Sequence, residues 1–187
     1  TWLPEMPPVN DHAPITPNTF TDGSVLLPKM PSFALAACGV WQPSRCTTTN
    51  PPNELEASFS RIQADCHLED LGANLVGTSK TAITGSLNTS STRVELLGVV
   101  NAMLADAPLH IGIDSAAVLQ TALNIRANPD FRPKRPWNIT KDGDLWFLYH
   151  LLTKRYGDQS LVFSKIKAHL SEAEAYERGI ERASWLG

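Results

Sequence analysis

Cysteine is scarce: the chain has three, Cys38, Cys46 and Cys66, in 187 residues. They close no disulfide framework, so a disulfide-stapled secreted domain is disfavoured and a reducing, intracellular compartment is expected, cytoplasm and nucleus being equally compatible. Long apolar runs are also missing. The best, Phe33 to Cys38, has the length of a strand and falls far short of the ~18 residues that cross a bilayer. No membrane partner is expected. Neither sign of charge dominates: 16 Lys+Arg stand against 19 Asp+Glu, a formal −3. That balance excludes a protein that grips nucleic acid by bulk charge and leaves room for a local basic patch. There is no glycine-rich phosphate loop, internal repeat or long low-complexity tract, and no serine nucleophile identifiable beside a histidine. The chain starts at Thr1 without a signal-type segment, and it reads as a piece of a longer polypeptide.

Proline is plentiful and uneven. Ten of the 14 prolines fall in the first 52 residues. Because proline fixes its own φ and biases its predecessor away from helix, residues 1–17 read as an extended leader laid along a surface. β-Branched and aromatic residues predict strands over Asn18–Leu26 and Phe33–Trp41, and a third within Leu75–Leu87. Residues 43–75 are mixed, with loop chemistry around Pro51–Pro52 and a short helix expected within Glu54–His67. Then the period changes. Leu96, Leu97, Val100, Met103 and Leu104 predict a helix over Thr92–Asp106. Leu109, Ile111 and Ile113 alternate as a strand, and Ala116–Ile125 reads as a second helix. After an irregular basic segment, Leu145–Leu152 predicts a third helix, Leu161–Lys167 a last strand and Ser171–Trp185 a final helix. Three strands followed by alternation imply an α/β fold: a five-stranded mixed sheet, an antiparallel meander joined to parallel crossovers, with helices on its faces.

Three acids stand out. Asp22 lies in Thr-Asp-Gly-Ser, where Asp-Gly is first of all a turn signal. Glu95 completes Thr92-Arg-Val-Glu95, the pattern of a capping box. Asp114 precedes Ser115 where a strand passes into a helix, and either residue would serve as a cap. Each has an ordinary explanation singly, yet the topology can bring all three together. Glu95 shares its helix face with Val99, Ala102 and Met103, an acid pointed along an apolar surface. Three carboxylates within ~5 Å repel by roughly 3 kcal/mol per pair at an effective dielectric near 20. A fold avoids that arrangement unless a cation offsets it, and hard oxygen donors suit Mg²⁺ or Mn²⁺ better than zinc.

These residues resemble the motif series of type 1 ribonuclease H. Thr21-Asp22-Gly23-Ser24 is followed by Asn88-Thr-Ser-Ser-Thr-Arg-Val-Glu95, by Ile113-Asp114-Ser115, by Gly143-Asp144-Leu145-Trp146 and by Lys165-Ile-Lys167-Ala-His169. The resemblance covers residues 18–187 and implies a ribonuclease H-like fold. It implies that Asp22, Glu95 and Asp114 ligate two Mg²⁺ ions, with Mn²⁺ as a substitute, and that His169 assists proton transfer or product departure. It also implies that the RNA strand of an RNA–DNA hybrid is cut to 5′-phosphate and 3′-hydroxyl products. Gly23, Ser24, Asn88, Ser90, Ser91 and Thr92 would contact nucleic acid, with Ser91 and Thr92 replacing the asparagines often seen there. Residues 126–141 sum to +4, from five basic side chains and Asp130. This segment looks like the basic, tryptophan-containing protrusion of some ribonucleases H, so Arg132, Lys134, Arg135 and Trp137 are candidates for the DNA strand. A solvated basic loop held down by Trp137 is the alternative.

Two departures accompany the resemblance. The chain stops at Gly187 without the family's fourth carboxylate, so the final helix is expected to be truncated, and Glu174, Glu177 and Glu181 read as a solvated face. Asp22 and Glu95 are 73 residues apart (95 − 22), which marks about 43–75 as an insertion. Lys165 and Lys167 read as the solvent face of their strand, and Cys38, Cys46, Cys66 and His67 as incidental thiols and a lone histidine. The competing reading is a ribonuclease H-like module that binds or supports without cutting; a weaker one is a relative that cuts DNA. Other domains of a longer chain, such as a retroelement polyprotein, are candidate partners.

Overall fold

The computed structural model describes residues 4–26, 29–30, 34–67, 76–85, 89–167 and 172–177. Strand β1 (Thr19–Leu26) pairs antiparallel with β2 (Leu35–Pro43), Asp22 lying opposite Gly39. β2 continues antiparallel into β4 (Val76–Gly85), and β4 into β3 (Arg61–His67). On its other side β1 runs parallel to β5 (Leu109–Ile113), which runs parallel to β6 (Leu161–Lys165). The order β3-β4-β2-β1-β5-β6 is a six-stranded mixed sheet.

The sixth strand is a correction. A short helix was expected within Glu54–His67, but α1 covers only Glu54–Phe59 and the chain then becomes β3. β3 is an edge strand with a register shift between Gln63 and Cys66, so it has no alternating apolar face to announce it. β2, by contrast, buries Ala36, Cys38, Val40 and Gln42 in strict alternation. β5 is buried along its whole length, as a parallel strand in a sheet interior must be.

Helix α2 (Ser91–Ala102) lies across β1 and β2, with α3 (Ala116–Arg126) and α4 (Gly143–Thr153) beside it. It is buried on nearly every side between sheet and α4, Val94, Leu96, Val99 and Val100 being wholly inaccessible. Each such side chain contributes roughly 1.5–3 kcal/mol. Trp146 meets Tyr149 edge-on at 5.5 Å, and Tyr149 meets Phe163 at 6.3 Å, so these two aromatics of α4 serve packing. Arg126 was counted with the basic loop. Instead it donates to the carbonyls of Thr153, Tyr156 and Gly157, satisfying the open carbonyls after α4. The last helix, α5, is described over Glu172–Glu177; the remainder of the expected Ser171–Trp185 lies outside the described residues.

Residues 4–17 run extended against the β5–β6 side. Val9 bridges Tyr156, its N–H donating to Arg155 O at 2.8 Å, and Ala13 N–H donates to Gln159 O at 2.7 Å. Buried His110 uses Nδ1 against Pro14 O at 2.9 Å and Nε2 against Ser164 Oγ at 2.6 Å.

At the β4 end, Glu56 anchors the residues between β2 and β4. Its carboxylate accepts from Arg45 at 2.8 and 3.0 Å and from Lys80 Nζ at 2.9 Å, all three side chains being buried. Lys80 also donates to Asn101 O on α2, at 2.7 Å. Burial alone would raise the Glu56 carboxyl, but the Arg45 hydrogen bonds and the two positive charges outweigh it and hold it at about 2. Its contribution to stability is therefore fully present above pH 4.5, the ordinary glutamate value, and is lost as pH falls toward 2. Glu56→Gln is expected to cost about 3–5 kcal/mol in denaturant unfolding at pH 7, because it strands two buried cations. The gap to wild type should narrow as pH falls below 4.5; a constant gap would show that the charge of Glu56 is not what anchors the segment.

Candidate active site

Parallel pairing sets Thr21 opposite Ile113, so the next residues, Asp22 within β1 and Asp114 just past β5, both fall at the carboxyl end of β5. Glu95 arrives from the second turn of α2. Gly23 permits this: a Cβ there would fall 2.8 Å from Glu95 N and 2.9 Å from the Val94 carbonyl carbon. Only a residue without a side chain lets β1 and α2 meet backbone to backbone. The Gly23 N–H donates to Asp22 Oδ1 at 2.9 Å and also supports the Glu95 carboxylate.

The capping box expected from Thr92 and Glu95 does not form. Ser90 is the N-cap, its hydroxyl accepting from Arg93 N–H at 3.2 Å, and the helix begins one residue earlier than Thr92. Ser115, not Asp114, caps α3, accepting from Val118 N–H. Glu95 is thus not engaged as a cap. It is half-buried, its Oε2 is inaccessible and has no hydrogen-bond partner, and its carboxyl is pushed up to about 7. Burial is the largest cause, followed by the charges of Asp22 and Asp114, with the Gly23 N–H and Lys165 opposing them. The three acids therefore act on one another electrostatically.

Lys165, expected on the solvent face of its strand, is exposed and from there also reaches Asp114. Paired in register with Ile113, it donates through Nζ to Asp114 Oδ1 at 2.8 Å and to the Asp114 carbonyl. Among the described residues, no three His, Cys, Asp or Glu side chains stand close enough, as oriented, to enclose an ion. The donor chemistry nonetheless fits a hard divalent cation: three carboxylates, one with a buried, unpartnered oxygen. Cys38 is buried, Cys46 exposed and Cys66 intermediate, all as free thiols.

The remaining candidates are dispersed. Ser24 and Ser91 are exposed, and Thr92 half-buried, along the approach to Asp22 and Glu95. Asn88 and His169 lie outside the described residues. Arg132, Lys134 and Arg135 are exposed, whereas Trp137 packs its ring against Phe131, Phe147 and His150 at 6.0, 6.1 and 6.2 Å. Gly143 lies under this turn, where a Cβ would collide with Trp137 O. Arg93 had no assigned role. It forks onto Asp144 at 2.8 and 2.5 Å and reaches Asp142 at 3.4 Å, fixing the start of α4 to the start of α2. Asp144 in the Gly-Asp-Leu-Trp motif was the available signal for that tie.

Strand order and crossovers give a mixed α/β fold similar to that of solved ribonuclease H domains. No protein-family model and no curated protein matches the sequence. Among solved structures, the PFV RNase H domain in solution is 13% identical with a TM-score of 0.51, the match covering 90% of this chain and 93% of that one. Native prototype foamy virus protease–reverse transcriptase is also 13% identical, with a TM-score of 0.52 over 93% of this chain. The foamy viral protease–reverse transcriptase in complex with RNA/DNA hybrid gives 13%, a TM-score of 0.50 and 99% of this chain. The chain spans about a fifth of the length of those two, 22% and 21%. No helix of the described residues is long and apolar enough to cross a membrane.

A carboxyl held at about 7 keeps a proton in the folded state that the unfolded chain releases near 4.5, so stability is lost as pH rises through 7. Glu95→Gln removes that loss. In metal-free buffer at pH 8 it is expected to stabilise the fold by about 1 kcal/mol, after allowance for solvent screening, with little difference at pH 4.5. Thermal unfolding across that range checks it; destabilisation at pH 8 would mean that Glu95 supports the fold.

Proposed function

We propose that this chain is a metal-dependent endonuclease that hydrolyses the RNA strand of RNA–DNA hybrids, leaving 5′-phosphate and 3′-hydroxyl ends. What carries the reading is the approach of Asp22, Glu95 and Asp114 from three separate elements, with a buried Glu95 oxygen left without a partner. Those three side chains would hold two Mg²⁺ ions, or Mn²⁺ in their place. Bound there, the ions supply a nucleophilic water and charge stabilisation at the leaving 3′ oxygen. The protein's part is to set the carboxylates on rigid elements: Asp22 by its bond from Gly23 N–H, Glu95 by the second turn of α2, and Asp114 by β5. His169 would assist proton transfer, an assignment carried by the sequence motif.

Hybrid selectivity would come from 2′-hydroxyls read by the polar run from Ser90 to Thr92, and from a deoxy strand laid along Arg132, Lys134 and Arg135. Phosphate neutralisation makes that second contact salt-dependent. Trp137 has its ring committed to packing, so its part is to seat this loop. Membership of a larger polypeptide, as with the foamy viral protease–reverse transcriptase, belongs to the same reading. The ion pair between Lys165 and Asp114 favours a second reading, a module that binds hybrid without cutting it.

Incubating the chain with labelled hybrid, duplex RNA and duplex DNA, in Mg²⁺, Mn²⁺ or chelator, separates the two. The expected result is cutting of the RNA strand only, only in hybrid, and only with metal. Binding without cutting, even in Mn²⁺, establishes the second reading. Asp22→Asn is expected to remove turnover by more than the ~10–100-fold that changes around a metal's ligands cost, with the fold intact. Replacing Arg132, Lys134 and Arg135 together by alanine should lower the log–log salt slope of hybrid binding by about 1 to 2. An unchanged slope removes the basic loop from the interface.

A further inference from the structure

We infer that Lys165 is a positioning residue that acts as a built-in, exchangeable counter-cation, holding Asp114 until a divalent ion displaces its ammonium. This inference rests on the metal-site reading above and deepens it. Lys165 ends β6 in register with Ile113, the last residue of β5, and Ile166 N–H donates to Ile113 O at 3.0 Å. That anchoring starts the lysine stem one residue short of Asp114, and its ammonium then takes both Oδ1 and the backbone carbonyl of Asp114. The two oxygens point to one cation.

The charges facing this cation make its role specific. Asp22, Glu95 and Asp114 approach from β1, α2 and β5, and Lys165 is the basic group that acts on Glu95 from β6. One ammonium thus offsets part of a field that three carboxylates create. It does so at the oxygen a metal would need. Lys165 and Asp114 are each about half exposed, with side-chain accessibilities of 48% and 41%, so the pair can open without unpacking the core. Lys167 is exposed two residues on and has no bond to Asp114 among those described, which makes it a matched control for nearby charge. As the ammonium and the ion compete for one carboxylate, removing the lysine must tighten the ion.

The test uses Mn²⁺ alone, without nucleic acid, and reads its dissociation constant by titration calorimetry, with thermal shift as a second readout. Lys165→Met is expected to bind Mn²⁺ at least about fivefold tighter than wild type, and Lys165→Arg to stay near wild type. Lys167→Met should change affinity by less than twofold. Equal gains from Lys165→Met and Lys167→Met would reduce the effect to overall charge and overturn the inference. Unchanged or weaker binding in Lys165→Met, with wild type binding Mn²⁺ normally, overturns the inference while leaving the metal site standing. Absence of Mn²⁺ binding in all variants overturns both. Circular dichroism of each variant shows that the comparison is between folded proteins.

Discussion

The contact that everything at the site depends on is the one between β1 and α2 at Val94 and Glu95. At Gly23 the two backbones touch, with no room for a Cβ between strand and helix. This approach half-buries Glu95 within reach of the charge of Asp22, while the parallel pairing of β1 with β5 carries Asp114 to the same end of the sheet. Burial and like charge then work in one direction, and Glu95 holds its proton to about 7. Like charges at this edge favour a positive charge beside them. Lys165, from the adjoining strand, is one that reaches Asp114.

The opposite end of the sheet handles charge differently. Glu56, Arg45 and Lys80 are buried together and every formal charge has a partner within 3.0 Å. Such a cluster gives little net stability over an apolar one, but it fixes geometry, because breaking it leaves a buried ion unpaired. Here it pins α1 to β4, and through Asn101 to α2. The residues between β2 and β4 are thereby tied to the helix that presents Glu95. Closed charges at one end hold the frame; at the other, Asp114 and Lys165 pair while about half exposed.

The basic residues divide along the same line. Arg126 is spent on three carbonyls behind α4 and Arg93 on the two acids in front of it, so neither belongs to a nucleic-acid surface. Arg132, Lys134 and Arg135 project from a loop seated by Trp137. A count of positive charge along residues 126–141 cannot separate these, because what a guanidinium does is set by which carbonyls or carboxylates the fold brings to it.

What the residues alone determined is local and periodic. The alternation of Leu109, Ile111 and Ile113, the helical spacing from Leu96 to Leu104, and the order of acids on successive elements follow from side-chain period and turn chemistry. They were sufficient for a mixed α/β sheet, and they name Asp22, Glu95 and Asp114 as candidates for one group. Edge strand β3 was hidden because an exposed, bulged strand has no apolar face to repeat. Whether Glu95 caps its helix or faces its neighbours turned on where α2 begins, and Ser90 decided that by taking the cap. The partner of Asp114 was decided only in three dimensions. Lys165 lies 51 residues away along the chain, and parallel register between β5 and β6 is the sole reason it arrives there.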